Sequence, residues 1–304
     1  VKGTVDMTVC EDFYGRINAF VTKKLDGYTP APTSGKVIHD TIWGSVLYNG
    51  WEIQIIDSPL FQRLRDIRQL GRAETTYPSA HHTRFEHSLG TTAIASRMID
   101  KLAERSAGLE ITQRDRNKVR LAALLHDVGH CFYSHLSENV YGNTEPFLQV
   151  RADIEKDLDE GIHPKPHELF SYMIIRSEAF LTFFAERVDY PEKGDRESCR
   201  ALLKECANMV VGQMNRTCDE NGNTGVYAFM TQILNGDFDA DKLDYTQRDS
   251  YTSGIALTYG IERFLMKIVL CKIQKGTETR YELAISSDAV TTVEELIFNR
   301  NMLY

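Results

Sequence analysis

The sequence contains no apolar run that approaches the roughly 20 residues needed to span a bilayer, and its first residues lack the pattern of a signal peptide. Its six cysteines include no CxxC pair, and a chain of 304 residues can bury a core without disulfide bonds. We therefore expect reduced thiols, no membrane association and a cytoplasmic protein.

Positive charge is also scarce, and it is not collected in blocks. Lysine and arginine total 35 against 43 acidic residues, so the formal net charge is −8 at pH 7. Proteins that coat nucleic acids gather basic residues to neutralise phosphates, so nucleic acid is not expected as the main substrate. A local basic pocket for a small anion is compatible with this composition.

The order of helical and extended patterns predicts a mostly α-helical fold with small β-hairpin additions. Residues 1–28 have weak periodicity and are left unassigned, and turn formers at 27–35 predict a loop or linker. Extended patterns predict hairpins at 36–48 and 270–285. Apolar spacing, N-caps and glycine stops predict helices at 58–70, 84–105, 112 to shortly before 129, 166–177, 196–214, 226–235, 239–251 and 261–270.

These patterns divide the chain into two regions. An N-terminal segment and linker covers 1–35, and a single domain covers 36–304. No internal repeat or low-complexity tract divides the second region. Residues 293–304 have the pattern of an unfinished helix, so we expect this domain to be truncated at its C-terminus.

The segment LLHDVGH at 124–130 is the most informative one chemically. The adjacent pair His126 and Asp127 offers an imidazole nitrogen and a carboxylate, a combination that suits Mn, Fe, Zn or Co. The apolar residues before the pair place it at the buried end of a helix, and Gly129 lets the chain turn sharply. Taken by itself, such a dipeptide is also typical of a capping or surface pair.

Two further segments offer the other ligands that a divalent ion needs. His87 lies on a predicted helix upstream, and Asp241 begins the downstream segment DKLDY at 241–245. Together with His126 and Asp127 they predict a four-ligand site with room for water. A divalent ion lowers the pKa of bound water and produces a nucleophile at neutral pH, so the sequence predicts a hydrolytic metal centre.

The order His, His-Asp, Asp is the signature of the HD superfamily, and further segments extend the match. They are FQRLR at 61–65, QLG at 69–71, HTRFEHSLG at 82–90, SH at 134–135, and DKLDY at 241–245 followed by RD at 248–249. From about residue 36 to its end, the chain resembles the HD-domain deoxynucleotide triphosphohydrolases. The resemblance implies an HD-domain helical bundle and a homo-oligomer, either a dimer, a tetramer or a hexamer.

The same resemblance implies a reaction. It is the metal-dependent hydrolysis of deoxynucleoside triphosphates (dNTPs) to deoxynucleoside and inorganic triphosphate, with Mg²⁺ as an additional ion on the triphosphate. Two alternatives stay open. One is an HD phosphohydrolase that acts on another nucleotide, such as an NTP, a monophosphate or a cyclic dinucleotide, and the other is a non-catalytic nucleotide sensor.

Four residues match positions that serve proton transfer or hold the phosphates in this family: His130, His135, Glu138 and His167. Histidine is a natural acid or base near neutral pH, and the resemblance makes His135 the acid on the leaving group, with Glu138 orienting it. The family usually has Asp where Glu138 stands, and HGPFSH where this chain has HCFYSH at 130–135. A hydrogen-bonded structural role is the alternative for each histidine.

Substrate contacts also follow from the resemblance. Cations and hydrogen-bond donors would hold the triphosphate. Two polar side chains and Leu70 would contact the deoxyribose, and Leu70 would crowd a 2′-hydroxyl. The phosphate positions are Arg84, Lys242, Tyr245 and Arg300, and the sugar positions are Gln69, Leu70 and Asp249. Solvated surface charge is the alternative, and it suits Arg300 best.

A second set of residues matches a guanine-nucleotide activator site that lies between subunits in the animal enzymes. These residues are Lys36, Val37, Asp57, Gln62 and Arg65. An activating nucleotide is therefore an expected partner besides the dNTP. The alternative is that the FQRLR helix is only a structural element, and His39 departs from the family pattern nearby.

Overall fold

The computed structural model describes residues 5–105, 108–218, 224–257 and 260–303. Most of this part of the chain is helical, which confirms the predicted mostly α-helical class. The helices are α1 (Met7–Leu25), α2 (Gly50–Ile56), α3 (Pro59–Gln62), α4 (Arg84–Glu104), α5 (Gln113–Leu125), α6 (His135–Tyr141), α7 (Glu145–Glu155), α8 (Pro166–Arg176), α9 (Glu178–Arg187), α10 (Arg196–Val210), α11 (Ala228–Leu234), α12 (Ala240–Ser253), α13 (Ile261–Leu265) and α14 (Val290–Leu303).

Two small sheets accompany the helices. Strands β1 (Gly35–Asp40) and β2 (Gly44–Asn49) form the predicted N-terminal hairpin. The second sheet contains β3 (Arg216–Cys218), β4 (Thr224–Tyr227), β5 (Ile268–Lys275) and β6 (Glu278–Ile285) in the order β3-β4-β6-β5. The predicted hairpin at 270–285 is confirmed as β5 and β6, whereas the parallel pairing of β4 with β6 was not predicted.

Helices α4 and α5 begin where the sequence places them, because each has a capping box. The backbone N–H of Thr83 donates to Glu86 Oε2 at 2.8 Å, and that of Thr112 donates to Asp115 Oδ2 at 3.0 Å. Such reciprocal bonds satisfy N–H groups that a helix start leaves without partners. The two helices pack against each other and carry the first candidate ligands.

The predicted helix at 58–70 is wrong beyond its first turns. After α3, residues 63–66 form a single 3-10 turn, and Ile67 is extended. The guanidinium of Arg63 donates to the carbonyl oxygens of His130, at 2.7 Å, and Val128, while the backbone N–H of Arg84 donates to Ile67 O at 2.8 Å. These contacts with distant segments unwind the helix.

Three other helices are shorter in the structure than the sequence predicts. The helix predicted at 196–214 ends at Val210, and the segment predicted at 226–235 begins as strand β4. The helix predicted at 261–270 ends at Leu265 because the chain then enters β5. Strand pairing with residues far along the chain therefore shortens the helices that border the second sheet.

The N-terminal segment, left unassigned from the sequence, forms α1. Asp6 caps this helix through the N–H of Thr8 at 2.9 Å. Its apolar face packs against α7, α8 and α9, and the ring of Phe13 contacts those of Phe147 and Phe170. Within the described residues, no helix combines the length and apolar character that a membrane span requires.

A buried ionic network joins the N-terminal hairpin to α12. The guanidinium of Arg248 donates to Asp40 Oδ2 at 2.9 Å and to Asp244 Oδ1 at 2.8 Å. All three side chains are less than 10% exposed. Buried charges require such partners, so the network holds β1 and α12 in one arrangement. Helix α12 carries the last candidate metal ligand.

Candidate metal centre

The four residues predicted as metal ligands come together from three helices. His87 lies on α4, His126 and Asp127 follow the end of α5, and Asp241 lies in the first turn of α12. His87 Nε2 is 3.3 Å from His126 Nε2 and 2.9 Å from Asp241 Oδ1. His126 Nε2 is 3.4 Å from Asp127 Oδ1 and 3.8 Å from Asp241 Oδ1.

The outer ring nitrogens of both histidines have protein partners. His87 Nδ1 donates to Asp244 Oδ2 at 2.7 Å, and His126 Nδ1 donates to Ala123 O at 2.7 Å. With Nδ1 bonded outwards in both rings, each Nε2 atom faces the carboxylates, where it could ligate a metal ion. An outer partner on each ligand histidine is usual in metal sites. Asp244 lies within the segment DKLDY, but its role as an outer partner was not predicted from the sequence.

The charges at this centre fit a divalent cation. Burial opposes the charged form of His87, but its bonds to Asp241 and Asp244 outweigh burial and raise its pKa to about 10. Burial also opposes the charged form of Asp127, but the Arg84 guanidinium and His126 hold the pKa of that carboxyl well below its usual range. The carboxylates of Asp127 and Asp241 thus concentrate negative charge beside the two imidazoles, and a divalent cation would balance that charge.

Glycine at two positions allows the surrounding elements to approach the centre. The chain turns at Gly129 as predicted, but a Cβ atom there would collide with Ser171 N and His167 O of α8. A Cβ on Gly90 of α4 would collide with Asp244 and Arg248. Gly129 does not have a positive φ, so its small size, rather than its backbone freedom, is what the site requires.

Arg84 is buried beside the ligands and is not a solvated surface charge. Its side chain is 4% exposed and donates to Asp127 Oδ2 at 2.8 Å. Its Nε atom donates to Ser134 Oγ at 2.9 Å, and Nη2 lies 3.3 Å from His135 Nε2. A fixed guanidinium of this kind can hold a phosphate next to the metal centre.

The four residues predicted for proton transfer form a second cluster beside the first. Glu138 Oε1 accepts from His135 Nδ1 at 2.9 Å and from His167 Nδ1 at 2.8 Å. Burial would raise the pKa of Glu138, but these two bonds hold it below its usual range. The longer side chain of Glu138 therefore still contacts the predicted acid. His130, the fourth member, is fully buried, with Nε2 3.3 Å from Asp127 Oδ1 and Nδ1 3.7 Å from Glu138 Oε1.

A cavity of about 660 Å³ opens over both clusters. This volume lies within the range of small-molecule sites, roughly 300–1,000 Å³. The cavity includes six of the seven predicted substrate positions. Its lining consists of Gln69, Leu70, Arg84, Asp127, His135, Lys165, His167, Asp241, Tyr245, Asp249, Arg300 and Asn301.

Lys242 is the predicted substrate residue that lies elsewhere. Its ammonium donates to Asp239 Oδ2 at 2.5 Å and to Gly236 O at 2.7 Å. Burial raises the pKa of Asp239 to about 6 despite this ammonium group. Lys242 lines a neighbouring cavity of about 390 Å³, and Lys165 lines both cavities. Lys165 was not predicted as a site residue from the sequence.

The predicted sugar residues, Gln69, Leu70 and Asp249, all line the larger cavity. Gln69 is 6% exposed, and its Oε1 atom has no hydrogen-bond partner. An orphaned buried acceptor is costly and indicates a missing donor. Asp249 accepts a hydrogen bond from His82 Nε2 at 2.6 Å. Burial and the nearby carboxylate of Asp241 raise the pKa of Tyr245, which lines the same cavity. His82, which holds Asp249 from behind, was assigned no role from the sequence.

The turn that departs from the family pattern has an unusual backbone. Tyr133 and Ser134 have φ angles of 61° and 52°, in a region that costs non-glycine residues about 1–3 kcal/mol. The contact of Ser134 with Arg84 accompanies this strain. Tyr133 is 58% exposed, while Cys131 is half-buried.

The residues predicted for nucleotide activation lie on the surface of β1 and the segment 57–65. Lys36, Val37, Asp57 and Arg65 are exposed and Gln62 is half-buried. Arg65 Nε donates to Gln62 Oε1 at 2.8 Å, and its guanidinium lies 3.5 Å from the centroid of a nearby aromatic ring. Lys36 and Arg65 are therefore exposed cations on this surface.

Residues 84–190 match the family model described as the HD domain. The chain is 29% identical over 279 residues to the deoxynucleoside triphosphate triphosphohydrolase SAMHD1 of Bos taurus and 28% identical over 278 residues to that of Homo sapiens. It is 31% identical over 274 residues to the uncharacterised protein MJ1154 of Methanocaldococcus jannaschii. Each alignment covers 88% of this chain but only 44%, 41% and 45% of the respective relatives.

Proposed function

Because the chain is an HD-domain protein related to the deoxynucleoside triphosphate triphosphohydrolases, we propose that it hydrolyses dNTPs to deoxynucleoside and inorganic triphosphate. The coarser function, a phosphohydrolase of the HD type, is supported by the family match and by the similarity to SAMHD1. The chain spans less than half the length of the three relatives compared above. The support for a dNTP substrate therefore comes from the residues of the site itself.

The observation that carries the proposal is the orphaned Gln69 Oε1 in the same cavity as the metal centre. A sugar hydroxyl would supply the donor that this oxygen lacks. Leu70 borders the same place and would crowd a 2′-hydroxyl. Asp249, held by His82 at 2.6 Å, offers a second acceptor to the sugar. Gln69, Leu70 and Asp249 together therefore favour deoxyribose over ribose.

The other walls of the cavity suit a triphosphate. Arg84, Lys165 and Arg300 all line it, and three cations match the charge of a polyphosphate chain. The phenol of Tyr245 adds a donor, since its raised pKa keeps it protonated. The phosphates would thus extend from the metal centre along Arg84 towards α14.

His87, His126, Asp127 and Asp241 would hold a divalent metal ion, Mn, Fe, Zn or Co. When bound, such an ion activates water and polarises a phosphoryl oxygen. Arg84 would bind the attacked phosphate, because its guanidinium already lies against Asp127. Placing the reacting phosphate between a fixed cation and the centre stabilises the charge that develops in the transition state.

His135 would donate the proton that the leaving 5′-oxygen requires. Its Nδ1–H bonds to Glu138, which orients the ring, so Nε2 faces the cavity near Arg84. His167 also bonds to Glu138 and keeps that carboxylate in place. An imidazole next to a carboxylate is a suitable acid near neutral pH.

A substrate panel tests this proposal. Metal-loaded protein is incubated with dNTPs, NTPs, nucleoside monophosphates and cyclic dinucleotides, and the products are identified by ion-pairing chromatography. Triphosphate and deoxynucleoside are expected only from dNTPs. Monophosphate or orthophosphate as product would support another HD phosphohydrolase, and no turnover with Mn, Fe, Co or Mg would support a nucleotide sensor.

A variant pair links turnover to the predicted centre. His126→Ala combined with Asp127→Ala should abolish turnover and lower the metal content, because it removes two of four ligands. His163→Ala is the matched control, since His163 is 72% exposed and contacts Glu155. Wild-type rates in the double variant would refute the site.

A further inference from the structure

The cluster formed by His130, His135, Glu138 and His167 has the composition of a metal site in its own right. One ligand atom from each residue lies within 4.8 Å of all the others. Glu138 Oε1 is 2.9 Å from His135 Nδ1, 2.8 Å from His167 Nδ1 and 3.7 Å from His130 Nδ1. Three imidazoles therefore surround one carboxylate oxygen.

His130 provides an independent indication that a ligand is missing. Its side chain is fully buried, yet neither ring nitrogen has a hydrogen-bond partner. An unsatisfied polar group in such a place costs about 1–3 kcal/mol. The ring stacks on that of His167 with centroids 4.1 Å apart, so Nδ1 cannot reach solvent and is directed towards Glu138. A metal ion in the cluster would satisfy it.

The donor set selects the ion. We propose that these four residues bind a second divalent metal, zinc, with three nitrogen ligands and one oxygen ligand. Zinc prefers imidazole and carboxylate ligands in a tetrahedron with Zn–N bonds of about 2.0–2.1 Å, which places ligand atoms roughly 3.3 Å from one another. The separations from Glu138 Oε1, 2.8–3.7 Å, span that value.

A metal ion can reach this cluster without any unfolding of the protein. The side chain of His135 is 58% exposed and lines the 660 Å³ cavity with His167. The two protons that now bond Glu138 to His135 and His167 would leave when the ion binds, because ligand nitrogens must be deprotonated. The ordered carboxylate and imidazoles are otherwise already in position.

This site is separate from the HD centre and rests on no assumption about the substrate. An ion in it would displace the Nδ1 proton through which Glu138 orients His135, so it would block the proton transfer proposed for that residue. The two ligand sets share no residue. His130 lies between them, with Nε2 3.3 Å from Asp127 Oδ1 but without hydrogen-bond geometry. One ion would therefore occupy each side of the His130 ring, and removing one set of ligands should leave the other set able to bind.

Metal stoichiometry tests the inference. Metal-free protein without an affinity tag is dialysed against Zn²⁺, and bound zinc is measured by mass spectrometry. The wild type should bind two equivalents per chain. His135→Ala and Glu138→Gln should each bind one, because each removes a ligand of the second site only. His126→Ala combined with Asp127→Ala should also bind one.

Two further variants complete the design. Adding His135→Ala to His126→Ala and Asp127→Ala should reduce bound zinc to near zero, whereas the exposed control His163→Ala should retain two equivalents. Co²⁺ gives a second readout, because tetrahedral Co²⁺ absorbs visible light far more strongly than octahedral Co²⁺. The strong absorption should vanish in His135→Ala.

The outcome that overturns the inference is a single equivalent in the wild type, or a second equivalent that persists in both His135→Ala and Glu138→Gln. Thermal melting followed by circular dichroism establishes that each variant is folded. His135→Ala alters an exposed side chain and is expected to fold, so it decides the question even if Glu138→Gln does not.

Discussion

His87 Nδ1 and Asp244 Oδ2 are joined by a 2.7 Å hydrogen bond between two side chains that solvent does not reach. Asp244 also accepts from Arg248 at 2.9 and 2.8 Å. The pKa of Asp244 is lowered to about 2, because Arg248 and His87 outweigh the effect of burial. A permanently charged carboxylate thus fixes the orientation of a predicted metal ligand.

Asp244→Asn should weaken metal binding at the HD centre by about 10–100-fold, the usual effect of losing an outer partner of a ligand histidine. The amide keeps the volume of the carboxylate but not its charge. Competition with a chromophoric chelator measures the affinity, and the exposed Asp237→Asn is the control. Equal affinity in Asp244→Asn and the wild type would show that Asp244 has no such role.

Gly129→Ala should lower the free energy of unfolding by about 1–3 kcal/mol, the cost of overpacking. The new Cβ would meet backbone atoms Ser171 N and His167 O, which cannot move aside as a side chain can. Gly15→Ala is the matched control, since nothing lies within 4 Å of its Cβ position in α1. There we expect a stabilisation of up to about 1 kcal/mol. Urea denaturation that finds Gly129→Ala as stable as the wild type would contradict the close contact.

Glu138 should contribute a pH-dependent part of the stability. Its pKa lies below the ordinary value of 4.5, so its ionised form stabilises the fold fully above pH 4.5. This contribution should be lost as the pH falls from there towards the lower pKa of the folded state.

The stability lost in Glu138→Gln should therefore be about 1 kcal/mol smaller at pH 3.5 than at pH 6. One proton changes stability by about 1.4 kcal/mol per pH unit, and solvent around the exposed His135 moderates the effect. Chemical denaturation of both proteins at both pH values measures it. A loss of equal size at the two pH values would exclude the charge of Glu138 as its cause.

GTP should raise both the activity and the oligomer mass of the wild type, if the surface of β1 and 57–65 binds an activating nucleotide between subunits. Lys36→Ala and Arg65→Ala should reduce this response, because each removes a phosphate-binding charge. Lys23→Ala on α1 is the control. Light scattering and activity measurements serve as readouts. The regulatory proposal fails if neither mass nor activity responds to GTP or any dNTP.

Local signals made much of the fold predictable. The starts of α4 and α5 follow from Thr83 and Thr112, since capping boxes act within four residues. The hairpin β1–β2 follows from a short extended pattern with Gly44 at a φ of 71°. The candidate ligands His126 and Asp127 are adjacent in sequence, so their pairing required no knowledge of the fold.

Contacts between distant segments were not predictable in the same way. Arg63 binds His130 O across 67 residues and ends a helix that its own periodicity favours. The parallel pairing of β4 with β6 depends on the path of the chain through α11, α12 and α13, which separate the two strands in sequence. Local propensity contributes less to the free energy of folding than such tertiary contacts do, so the contacts override it.

The sequence by itself determined the chemistry that is available at the HD centre: which imidazoles and carboxylates, on which helices, in which order. The tertiary structure alone decided which partners they have. It places Asp244 behind His87, brings Lys165 into the cavity, turns Lys242 towards Asp239, and gathers three imidazoles around Glu138. The reason is physical, since hydrogen bonds and ion pairs act over about 3 Å in space and do not depend on separation along the chain.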